Sequence, residues 1–199
     1  NTFKPEDFTV YDVFYGDCAA PWTFCYHKDV ERLDAIQNFG RTPVRMRQWA
    51  AVIAIIPERQ TGEAAHQAGN TLVYHGTATG HPAIDVHELA HFADFWKTDT
   101  SPVGSKPYSW WSRDNNTWRS KVVTDQSLAS EYSRRSFMES FAEIGIMASY
   151  DVATNGGLGA AQPRWTEFRN QLQTYREYMG DDLIPSGRCT KMTPQSPLV

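Results

Sequence analysis

The chain has 199 residues, 41% of them hydrophobic and 21% charged, with a formal net charge of −4 at pH 7. That balance excludes a disordered or fibrous chain and leaves enough apolar material for a sizeable core. The mild acidity offers no basic field to nucleic acid or an anionic membrane, and the longest apolar run, Ala50 to Pro57, falls far short of the roughly 20 residues that span a bilayer.

The first element in chain order is a strand over Thr9 to Gly16, where β-rich residues alternate. Cys18 and Cys25 then flank the short stretch DCAAPWTFC, which predicts a local disulfide and leaves Cys189 as a free thiol. A long-range bridge from Cys189 to either of them is the rival pairing, and three reduced cysteines in a cytosolic protein is the third possibility. Val30, Leu33, Ile36 and Phe39 have helical spacing, and Gly40 reads as a stop. Val44 to Pro57 reads as the central strand, and Gly69 to Gly76 as a shorter one between glycines. Pro82 opens a helix to about Lys97, at a position where its missing N–H costs nothing. The polar and aromatic stretch from Thr98 to about Arg135 has no clear period. A second helix follows over Ser136 to Tyr150, Asn155-Gly156-Gly157 breaks the chain, and Pro163 opens a third helix to about Met179. Strands first and helices after imply an α+β domain over residues 1–184, with a Pro/Ser-rich tail over 185–199.

The chain opens on Asn1 with no apolar leader, and Asn115-Asn116-Thr117 is an N-glycosylation sequon. Together with the cysteine pair, these predict a processed, secreted protein glycosylated at Asn115. The expected form is a monomer with no nucleic-acid or membrane partner.

Chemistry concentrates in Val86 to Asp94, VHELAHFAD. His87 and His91 stand four apart, so one helix face aims both imidazoles at a single point, as two protein ligands of a zinc ion. Glu88 lies about 100° further round, where its carboxylate reaches a metal-bound water without binding the metal. The competing reading is a buried apolar helix with two hydrogen-bonded histidines, among Ile84, Leu89, Phe92 and Phe95. It is weakened because burying His, Glu, His and Asp without a shared cation demands a partner for each. The third ligand is not a histidine, since none follows His91. Glu139 and Glu143, again four apart on one helix, are the candidates, one as ligand and one holding a ligand imidazole by its second nitrogen. Spacing does not say which is which. Asp94 shares the histidine face and reads either as an orienting acid or as a helix-end structural residue.

HELAHFAD with ASEYSRRSFMESFAE (Ala129 to Glu143) resembles the catalytic domain of anthrax lethal factor and its relatives, including secreted Pro-Pro endopeptidases. Their pattern has HExxHxxD and a tyrosine seven residues before the ligand glutamate, met here by Tyr132 and Glu139. The resemblance implies Glu139 as third ligand, Glu143 as the supporting acid and Tyr132 as hydroxyl donor to the oxyanion. DCAAPWTFCYHK adds a fainter likeness to secreted fungal members. The implied architecture is zincin-like: an N-terminal mixed sheet with the active-site helix, then a helical C-terminal half. The implied function is a secreted endopeptidase with one Zn2+ per chain, Glu88 as general base, and a peptide or protein substrate. In most relatives glycine stands where Ala90 does here.

Two rivals are a non-catalytic zinc-containing module that grips protein or glycan, and a zinc hydrolase of glycopeptides or other amides. A substrate strand would pair with an edge of the sheet, for which Asn70, Leu72 and Tyr74 are the candidates. Trp110, Trp111, Tyr108 and Trp118 are candidates to wall a pocket. His27, His66, His75 and His81 have no partner at ligand spacing along the chain and read as ordinary surface or core histidines.

Overall fold

A computed structural model describes residues 3–30, 33–57, 62–76, 81–98 and 109–191. They divide into two compact units, one running up to Leu89 and resuming at Ser186, the other from Ala90 to Pro185.

The first unit is built on a five-stranded sheet of β1 (Phe8–Val13), β2 (Trp22–His27), β3 (Val52–Ile56), β4 (Ala65–Ala68) and β5 (Thr71–His75), in the order β1-β2-β3-β5-β4. The inner pairs β2/β3 and β3/β5 are parallel and the outer pairs antiparallel, so the sheet is mixed. The parallel crossover from β2 to β3 carries α1 (Leu33–Arg41) and α2 (Val44–Arg47), since parallel neighbours cannot be joined by a tight turn. Trp22, Phe24 and Tyr26 alternate along β2 and are fully buried, as are Ile53 and Ile55 on β3 and Leu72 and Tyr74 on β5. Period-two burial on three adjacent strands is what makes this face a core.

Three local expectations fail here for identifiable reasons. Trp22 to His27 is a strand and not a disulfide loop, and the bridge joins Cys18 to Cys189 while Cys25 is a half-buried free thiol. Val44 to Arg47 is helical: Pro43 sits at its N-cap with φ −54°. The Arg47 guanidinium is buried, bonds Asp17 at 2.5 Å and the Thr42 carbonyl at 3.0 Å, and lies 4.8 Å from the Tyr15 ring and 4.9 Å from Trp22. A buried arginine held this way fixes its own backbone and cuts the run, so the strand begins only at Val52. Gly40 is inside α1 and does not stop it; a Cβ there would stand 2.5 Å from the Tyr15 ring, so the glycine is required by close approach.

Tyr74 donates its hydroxyl to Asp85, and both are buried. Burial pushes the Asp85 carboxyl up to about 7, the Tyr74 bond only partly opposing it. The unfolded chain therefore releases this proton at lower pH than the folded one. Stability of metal-free protein should fall as pH rises from about 4 to 7 and level off above, by up to about 4 kcal/mol. Asp85→Asn should remove that slope in urea unfolding measured with chelator; an unchanged slope assigns it elsewhere.

α3 (Pro82–Trp96) is one unbroken helix, and the division between the units falls inside it. The second unit adds α4 (Trp111–Asp114), α5 (Asn116–Thr124), α6 (Phe137–Ala153), α7 (Gly157–Ala161) and α8 (Arg169–Met179), with 3-10 turns at Tyr132–Arg135, Trp165–Phe168 and Gly180–Leu183. Its core is largely aromatic: Phe92, Trp118, Phe141 and Tyr175 are fully buried, and so is Met179. A Cβ on Gly145 of α6 would lie 2.9 Å from Ala90 of α3 and 2.7 Å from the Tyr175 hydroxyl of α8, so the three helices meet at a residue without a side chain. The stretch expected to be irregular contains α4 and α5. Asn115, the sequon residue, is the N-cap of α5 and accepts the Trp118 amide at 3.1 Å.

The architecture is thus α+β with a five-stranded mixed sheet followed by helices. Among the described residues no helix is long and apolar enough to cross a membrane.

Candidate metal centre

Two helices supply the donors. His87 and His91 lie one turn apart on α3. Ser136, the N-cap of α6, accepts the Glu139 amide at 3.1 Å, which fixes Glu139 in the first turn of that helix. The Nε2 of His91 stands 3.3 Å from a carboxylate oxygen of Glu139. His87, His91 and Glu139 each bring a ligand atom within 4.8 Å of the others. Two donors on one tetrahedral zinc, at bond lengths of 2.0–2.1 Å, are about 3.4 Å apart, so the His91–Glu139 spacing fits a shared ion. His91 is 8% exposed, and its ring meets the edge of Trp110 at 5.8 Å. The aromatic wall lowers the local dielectric and restrains the imidazole, both of which suit a metal ligand.

The other expected residues are placed as follows. Glu88 is buried, at 6% exposure. Glu143 is one turn beyond Glu139 on α6. Asp94 is fully buried and accepts both the Ser112 amide at 2.6 Å and the Ser112 hydroxyl at 2.5 Å, which ties the first turn of α4 to α3. Tyr132 is 41% exposed in a 3-10 turn, with the Arg135 guanidinium 4.3 Å from its ring. Trp111 is half-buried and packs on Tyr178 at 4.1 Å and on Phe141 at 5.7 Å. Tyr108 lies outside the described residues.

The edge-strand expectation is overturned. β5 is flanked by β3 on one side and β4 on the other, and the Leu72 and Tyr74 side chains are fully buried. The Asn70 carbonyl accepts the Ala51 and Val52 amides at 2.9 and 3.3 Å. β5 is therefore an interior strand, paired along Thr71–His75 with β3 and along Thr71–Tyr74 with β4. The missed element is β4, the edge on that side of the sheet, which also brings His66 against His75. Chain order hides this pairing, and the Gly69-Asn70 turn is the sequence signal for the hairpin that creates it.

The sequence pattern of the family described as conidiation-specific protein Con-13 matches residues 1–159. The chain belongs to the Con-13 family. A curated relative, conidiation-specific protein 13 of Neurospora crassa, is 30% identical over 151 residues, covering 75% of this chain and 42% of its own length. The chain thus spans less than half of that relative. No solved structure matches.

Membership of the Con-13 family corrects the assignment drawn from HELAHFAD. The match runs through the N-terminal sheet and both motif segments and leads to Con-13 proteins, not to the lethal-factor-like zinc peptidases. The endopeptidase reading and the secreted-protease description lose the resemblance on which they stood, and the Con-13 name gives no evidence of an enzymatic activity. The reaction roles written for Glu88 and Tyr132 lose that support with them. What stands is the donor geometry, which is independent of any family.

Proposed function

We propose that this Con-13 domain binds a divalent transition-metal ion, zinc before others, through His87, His91 and Glu139, and that the ion ties α3 to α6. The observation that carries the reading is the 3.3 Å approach of the His91 imidazole to the Glu139 carboxylate with His87 one turn away. Two imidazoles and one carboxylate are borderline donors, which suit zinc and disfavour calcium or magnesium. Three protein donors leave a fourth position that water fills by default. The Cys18–Cys189 bridge supports an oxidising, extracytosolic setting.

The test is metal analysis and thermal unfolding of protein purified without added metal. Zinc should co-purify at this centre. Adding it to chelated protein at 100 times its Kd should stabilise by about 2.7 kcal/mol, or about 5–10 °C in Tm. A Tm indifferent to chelator and to added Zn2+ would overturn the reading.

A further inference from the structure

The sheet of the first unit holds a second cluster of donors that the centre on α3 does not use. β4 and β5 form an antiparallel hairpin around Gly69-Asn70, in which His66 is opposite Val73 and Ala65 opposite Tyr74. Residues two apart on a strand share a face, so His75 stands diagonally across from His66 on that face. The rings meet nitrogen to nitrogen: His66 Nδ1 is 3.0 Å from His75 Nε2. Glu63, just before β4, brings one carboxylate oxygen to 3.5 Å from that His66 nitrogen and 3.7 Å from that His75 nitrogen.

We propose that Glu63, His66 and His75 form a second divalent transition-metal site, built by the hairpin and its lead-in alone. Three atoms from three residues form a near-equilateral triangle with edges of 3.0, 3.5 and 3.7 Å. That brackets the spacing of about 3.4 Å for donors around one ion with bonds of 2.0–2.1 Å. The donor set is again two imidazoles and a carboxylate, which favours Zn2+, Cu2+ or Ni2+ over hard cations. Access is graded in the way a loading site requires. The His75 side chain is 1% exposed and anchors the floor, while His66 at 34% and Glu63 at 51% face solvent, where an ion arrives and further donors or water complete its shell. The bland alternative is an imidazole–imidazole hydrogen bond beside an acid, which needs no ion.

The experiment is isothermal titration of chelated full-length chain with Zn2+ alone, on wild type, His66→Ala, His87→Ala and the double variant. Two sites are expected in wild type, one in each single variant and none in the double. Glu63→Gln, exposed and safe for folding, should weaken one of the two sites by roughly 10–100-fold or more. Zn2+ should also shift the imidazole NMR signals of His66 and His75 in His87→Ala. Wild-type stoichiometry retained in both His66→Ala and Glu63→Gln would overturn the proposal. Loss of a site in His66→Ala with none lost in His87→Ala would support it while sinking the centre on α3, so the two readings fail separately.

Discussion

His91→Ala is expected to weaken Zn2+ binding at the α3 centre by about 100-fold or more, the upper end of what losing a mere supporting hydrogen bond to a ligand costs. The His91 imidazole stands 3.3 Å from the Glu139 carboxylate and is nearly buried against Trp110. Removing it leaves two donors, one of them the partly exposed Glu139 carboxylate, and no closed triangle. Glu139→Gln keeps the volume and the Ser136 cap on its amide while removing the charge, so it should weaken zinc comparably with little loss of metal-free stability. His81→Ala is the control: it is exposed and outside both donor sets. Fluorescent-chelator competition at fixed pH reads all three. Affinities within a few-fold of wild type in both ligand variants would remove His91 and Glu139 from the coordination sphere.

Cys189→Ser is expected to destabilise the fold by several kcal/mol. The bridge closes a separation of 171 residues, for which loop-closure entropy gives about 5 kcal/mol, with measured bridges more often 2–4. Non-covalent contacts soften the loss without replacing it. The Gln48 side chain accepts the Thr190 and Lys191 amides, both at 2.9 Å, and the Asp17 carbonyl accepts the Cys189 amide at 3.2 Å. Urea unfolding measures the cost, and a non-reducing peptide map tests the pairing. A cross-linked peptide containing Cys18 and Cys189 is expected, with Cys25 alkylated slowly in native protein because it is half-buried. A Cys18–Cys25 peptide would restore the local bridge that the spacing suggested.

The helices bearing the α3 centre were legible because helical periodicity survives total burial. Pro82 and the His87/His91 spacing gave α3 within a residue, and α6 begins one residue after its predicted start, since Ser136 is its cap. The sheet was read less well. β2 carries Cys25, and the cysteine spacing drew attention from the alternation Trp22-Phe24-Tyr26. β4 is AHQA, with no β-branched residue and no Phe, Tyr or Trp, so only its partner marks it as a strand. The His66/His75 contact is non-local, created by register, and no spacing along the chain announces it. α5 was hidden behind the sequon, although an asparagine that accepts an amide three residues on is an N-cap signal in its own right. The reaction is where reading went furthest astray. HExxH encodes where two imidazoles point, which the geometry keeps, but a ligand geometry serves many roles and carries no reaction with it. The match over residues 1–159 sets the family instead.

Anomalous diffraction at the zinc edge, on crystals grown with Zn2+, tests the central claim most directly. The account predicts a peak within about 2.0–2.2 Å of both the His87 and His91 imidazoles and the Glu139 carboxylate. A map without density there, or a His91–Glu139 pair in direct hydrogen-bond contact with zinc bound elsewhere, would contradict it.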